Sequence, residues 1–175
     1  MRKHLILFSA VVLFAAPAHA GTKSADATTA LKAFDIFCVE SLKEGINAAD
    51  YAAAKKLPEL PKEDAVKFSP DGGRVFALPG LNGMAVLTTN PKFKSVCSVA
   101  IHQTDIAQFQ KGLSQHFTAK RGYRLMREKR DGTQNITRSE YTGDVKGPIK
   151  LLITAADSPR PNGIQVLVTI GRVNE

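Results

Sequence analysis

Cysteine is scarce in this chain of 175 residues, which holds only Cys38 and Cys97. No C-x-x-C pair exists, so dithiol redox chemistry is excluded, and two lone thiols cannot make a zinc site without several well-placed histidines. Histidine is sparse as well. His4 and His19 fall within the first 20 residues, and His102 and His116 show neither H-x-x-x-H nor H-E-x-x-H spacing. There is no Asp-rich calcium loop. Asp71-Gly72-Gly73-Arg74 lacks both the G-x-x-x-x-G-K pattern and a following helix, so it is a turn and not a phosphate cradle. Beyond the first 20 residues no apolar run approaches the roughly 20 residues that a membrane-spanning helix needs. No metal, cofactor or transmembrane segment is expected.

The first 20 residues themselves read as a secretory signal. Arg2 and Lys3 form the charged start, Leu5 to Ala16 the apolar run, and Ala18-His19-Ala20 the small-residue cleavage site. The mature chain is expected to begin near Gly21, in a bacterial periplasm or outside the cell. This leader holds no Cys, which leaves lipid anchoring at the cleavage point without its residue. Losing Arg2 and Lys3 lowers the formal net charge from +8 to +6, so the mature protein stays basic. Residues 21–175 are the size of one ordinary domain, and no linker divides them. In an oxidising compartment two cysteines read as one bridge with a single possible pairing; two separate buried thiols are the alternative. Closing a loop of this length contributes about 4 kcal/mol on the chain-entropy argument.

From Thr28 or Thr29, Leu31, Phe34, Cys38 and Leu42 share one face of a helix, with Lys32, Asp35, Glu40 and Lys43 pointing elsewhere; Gly45-Ile46 fits its stop. Asn47 caps a second, Ala-rich helix to about Leu57, ended by Pro58. The Pro-rich stretch to Gly73 is connection, with one short strand at Val66 to Phe68. Arg74 to Leu78 and Met84 to Thr89 form a hairpin through Pro79-Gly80-Leu81-Asn82-Gly83, and Val96 to Ile101 is a third strand with Cys97, Val99 and Ile101 on its core face. Thr104 and Asp105 start a helix carrying Ile106, Phe109, Leu113 and Phe117. Tyr123 to Arg130 and Thr133 to Thr142 make a second hairpin around Asp131-Gly132, and Ile149 to Ala155 and Ile164 to Arg172 complete the strands. The expected fold is α+β: an antiparallel sheet of about six to seven strands, two to three helices on one face, and one disulfide pinning the first helix to the sheet.

Candidate chemistry is thin. His102, Asp105 and His116 invite a triad with Ser98 or Ser114, but neither serine sits in a G-x-S-x-G elbow and Asp105 suits a helix start. Cys97 with His102 as nucleophile and base conflicts with the bridge. Charge is the uneven feature. Between Lys111 and Lys150 stand ten Lys and Arg against Glu128, Asp131, Glu140 and Asp144, which accounts for the whole mature excess. Lys120, Arg121, Arg124, Arg127, Lys129 and Arg130 are the candidate binding residues, able to attract an acidic protein, anionic lipid or acidic wall polymer if they turn outward together. The plainer reading is a solvated hairpin whose cations keep a sheet edge from aggregating. Nucleic acid is disfavoured, because Tyr123 and Tyr141 are the only aromatics nearby.

The Ala-rich start, Phe34-x-x-x-Cys38, Gly72-Gly73-Arg74-Val75-Phe76 and Val96-Cys97-Ser98-Val99 together resemble small uncharacterised exported proteins of Gram-negative bacteria, some described as hypothetical lipoproteins. The resemblance implies the same helix-to-sheet cysteine pair and carries over no catalytic residue or ligand. The missing lipid-attachment cysteine is a departure from it. The functional expectation is an exported, non-enzymatic binding protein, of the inhibitor or immunity type, acting on a macromolecular partner in the periplasm. The alternative is an envelope-associated protein held to anionic lipid or wall polymer by its basic hairpin, and a hydrolase using His102 or His116 stands third.

Overall fold

The computed structural model describes residues 25–81, 85–160 and 163–173. The expected leader over residues 1–20 lies outside these, as do Asn82, Gly83 and Met84 of the first hairpin and Pro161 and Asn162 of the last turn.

Helix α1 (Ala27–Phe34) begins where Asp26 Oδ1 accepts the Thr29 N–H at 2.7 Å, satisfying one of the free donors of the first turn. It buries Ala30, Leu31 and Phe34, passes through a π-helical turn at Asp35–Val39, and continues as α2 (Glu40–Glu44). Gly45, at φ 70°, ends it, and the Ile46 N–H closes back on the Ser41 carbonyl at 3.0 Å. Asn47 caps α3 (Ala48–Ala54) through the Ala49 N–H. This helix stops short of Leu57, because Lys56 takes a left-handed φ of 58° and the Leu57 N–H returns to the Ala52 carbonyl at 3.1 Å.

Val66 to Phe68 is not a strand. Pro61 starts a single helical turn, α4 (Lys62–Ala65), and the Val66, Lys67 and Phe68 N–H groups bond locally to Lys62, Asp64 and Ala65. The fixed φ of Pro61, followed by the carboxylates Glu63 and Asp64 in the first turn, favours that local structure over an extended run of three. The last helix, α5 (Ile106–Leu113), is capped by Asp105 Oδ1 accepting the Gln108 N–H at 3.0 Å. It runs into a second π-helical turn, Ser114–Lys120, and buries Phe109, Leu113 and Phe117.

Seven strands, β1 (Val75–Ala77), β2 (Ala85–Thr89), β3 (Cys97–Ile101), β4 (Arg124–Asp131), β5 (Ile136–Asp144), β6 (Pro148–Ala156) and β7 (Val166–Arg172), form one sheet in the order β1-β2-β3-β7-β6-β5-β4. All pairings are antiparallel. The chain thus builds three strands, crosses through α5 to the far edge, and returns strand by strand until β7 closes against β3. Alternation fixes the two faces. Leu87, Val99, Val168 and Ile153 lie in register on the face under the helices, with Cys97, Ile170 and Leu151 beside them, and the main core forms there. On the opposite face Val75, Val86 and Ala100 pack with Leu60, Ala65 and Phe68, so the α4 segment covers β1 to β3.

The Cys38–Cys97 disulfide joins the first π-helical turn to β3, with Cα atoms 5.4 Å apart and both residues buried. The fold is α+β, with a seven-stranded antiparallel sheet and this one bridge.

Candidate functional site

On the face away from the helices, cover ends at β7. Register places Arg127 opposite Glu140 and Lys129 opposite Arg138, then Glu140 opposite Leu152 and Arg138 opposite Thr154. Paired residues share a face, so these side chains emerge together, with Lys150 two residues from Leu152 on the same side. Arg127, Lys129, Arg138, Glu140, Leu152 and Thr154 line an open concavity of about 320 Å³. Leu152 in this lining is 47 % exposed. Lys150 Nζ pairs with Glu140 Oε1 at 2.9 Å, whereas Arg127, Lys129 and Arg138 have no carboxylate within ion-pair distance among the described residues. The surface carries one exposed leucine next to Glu140, with Arg127, Lys129 and Arg138 on the same face.

The six basic residues singled out from sequence do not lie together on one face. Arg127 and Lys129 belong to the concavity, and Arg124, opposite Thr142, falls on the same face after the bulge between Leu125 and Arg127. Arg130 emerges on the other face and pairs with Asp157 at 2.7 Å, which raises the guanidinium pKa and holds the Asp157 carboxyl below its usual range. Lys120 is exposed at the end of the second π-helical turn. Arg121 turns inward to Asp35, and that hydrogen bond is the main cause of its raised pKa. The two-residue period divides a basic strand between two faces. Arg138, Lys150, Glu140 and Leu152 complete the site; alternation within β5 and β6 could have grouped each pair, but only the register joins them to β4.

A second concentration of polar groups lies between the two π-helical turns. Asp35 belongs to the first, His116 to the second, and Arg121 follows it; the side chains are 14, 16 and 30 % exposed. Asp35 was expected to point away from the core, as an ideal helix would have it. In the wider turn its carboxylate instead meets Arg121, and His116 Nε2 lies 3.0 Å away without hydrogen-bond alignment. Tyr123 stacks on Phe117, with ring centres 5.7 Å apart. Burial pushes its hydroxyl up to about pKa 12. Asp35 Oδ1, His116 Nε2, Arg121 Nε and Tyr123 Oη are all buried without a hydrogen-bond partner among the described residues. A tyrosine held neutral over the physiological range is no nucleophile, and the cluster ties helix to helix and to the start of β4.

The triad suggested by sequence is not assembled. Ser98 lies on the α4 side of the sheet, sharing a 2.8 Å hydrogen bond with Thr169, while His116 sits among the helices on the other side. Asp105 is spent on the α5 cap, and the carboxylate beside His116 is Asp35. Cys97 is consumed by the disulfide, so it offers His102 no thiol. Among the described residues no group of three or more His, Cys, Asp or Glu is placed to hold a metal ion. No family model, curated protein or solved structure matches this chain.

Proposed function

We propose that the chain is an exported, non-enzymatic binding protein of the inhibitor or immunity type, which works in the periplasm by holding an acidic macromolecular partner on the open face of β4, β5 and β6. The observation that carries this reading is the set Arg127, Lys129 and Arg138, three cations without carboxylate partners among the described residues, in one concavity with exposed Leu152. Against the single carboxylate Glu140, which Lys150 already pairs, the three cations leave an excess of positive charge that steers an acidic partner onto this face, where Leu152 offers an apolar contact. Export is supported by the leader pattern and by the buried disulfide, which persists in an oxidising compartment. Among the described residues no helix is long and apolar enough to cross a membrane.

The reading is tested by expressing the chain from Gly21 in a bacterial periplasm and recovering what it retains from envelope and secreted fractions after a high-salt wash. One stoichiometric protein, lost when Arg127 and Lys129 are both replaced by Glu, is the expected result. Recovery of salt-labile lipid or wall polymer alone would replace it with the envelope-surface reading, since nonspecific charge is screened and a shape-matched interface largely survives.

A further inference from the structure

The sheet treats its two edges differently. At β1, only three residues long, the outer backbone is occupied: Leu60 N–H bonds to the Val75 carbonyl and Ala77 N–H to the Pro58 carbonyl, both at 2.8 Å. At the other edge β4 runs for eight residues, and among the described residues no segment pairs with its outer side. It carries no proline, and Leu125 and Met126 within it are 44 and 54 % exposed. A long edge without proline or a covering segment is a template for another strand.

We propose that β4 pairs antiparallel with β4 of a second copy, in a register centred on Lys129. The charge pattern selects that occupant. A two-fold axis normal to the sheet keeps each face on its own side, so only residues of the same face can stand opposite each other. The bulge between Leu125 and Arg127 confines straight pairing to Arg127–Asp131. Centred on Lys129, that stretch sets Arg127 against Asp131 of the second copy and Glu128 against Arg130 of the second copy, each twice by symmetry, with Lys129 on the axis as the one like-charged contact. Centred on Glu128, it sets Arg127 against Lys129 and Glu128 against itself, and every charged contact repels. The pairing makes one sheet of two copies, with two basic concavities on the same side. It goes beyond the binding reading and stands whether or not that face holds a partner.

The test is sedimentation of the full mature chain across a concentration series, with thermal melts as a control for folding. Wild type is expected to show a concentration-dependent monomer–dimer equilibrium. Glu128→Arg and Arg130→Glu, each alone, place like charges opposite one another and should weaken association by at least about tenfold. The double variant Glu128→Arg/Arg130→Glu restores the opposite-charge contacts across the axis, while losing the Arg130–Asp157 pair within each copy, and should associate more tightly than either single variant. A monomer at every concentration overturns the proposal, and so does a dimer whose strength ignores both single changes or is no tighter in the double variant than in the single ones.

Discussion

At the scale of single residues, Asp35 shows how a local geometry defeats a periodic reading. Cys38 was legible as a core residue because it shares a face with Leu31, Phe34 and Leu42, but Asp35 enters the protein only through a π-helical turn, for which the apolar pattern gives no signal. Its removal leaves the Arg121 guanidinium without its main partner, so Asp35→Leu should cost about 2 kcal/mol in urea denaturation. Asp35→Leu combined with Arg121→Met should cost less than Asp35→Leu alone, because neither charge is then stranded. Tyr123 makes a different prediction. Its hydroxyl titrates at about 12 in the folded protein against about 10 in the unfolded chain, so the folded state holds the proton more tightly. The stability from this group is complete below pH 10 and is lost as pH rises from about 10 to about 12. Tyr123→Phe should remove that loss and, by deleting an unpartnered buried hydroxyl, raise stability at neutral pH by about 1 kcal/mol. Denaturant melts of both proteins at pH 7 and pH 11 check both statements.

At the scale of elements, alternation and amphipathic spacing located the helices and most strands, whereas boundaries moved wherever backbone bonds close locally. Val66 to Phe68 illustrates this, since three apolar-rich residues are too few for period to separate a strand from a turn. The second hairpin also shifted: Asp131 ends β4 and its carboxylate accepts the Thr133 and Gln134 N–H groups, so the loop extends to Asn135, which takes a left-handed φ of 52°. Gly143 marks a close approach within β5, where a Cβ would overlap the Tyr123 ring. Gly143→Ala should displace that ring from Phe117 and destabilise by about 2 kcal/mol, read from the midpoint of chemical unfolding. The disulfide holds the first π-helical turn on β3 across 59 residues of chain. Replacing both cysteines by Ala should cost about 4 kcal/mol on the chain-entropy argument, and adding reductant to the wild-type protein should lower its melting point while leaving the double variant unaffected.

At the scale of the whole molecule, strand order decides where function can lie, and strand order was not legible. The crossover through α5 carries the chain to the far edge before it returns, which leaves half of one sheet face without the α4 cover that protects the other half. The excess of positive charge was visible in the sequence as a count along the chain. Its division by the pleat was not used: Arg127 and Lys129 join Arg138 from β5 and Lys150 from β6, while Arg130 and Arg121 are engaged elsewhere by Asp157 and Asp35. A cluster of cations along one strand therefore spans two faces, and its partners on β5 and β6 appear only once the register is known. The most direct measurement is a binding titration of the captured partner against wild type and the variant Arg127→Glu/Lys129→Glu/Arg138→Glu, at low and high salt, with a thermal melt of each protein. The account predicts that the variant loses binding at both salt concentrations while melting within a few degrees of wild type; undiminished binding by a folded variant would contradict it.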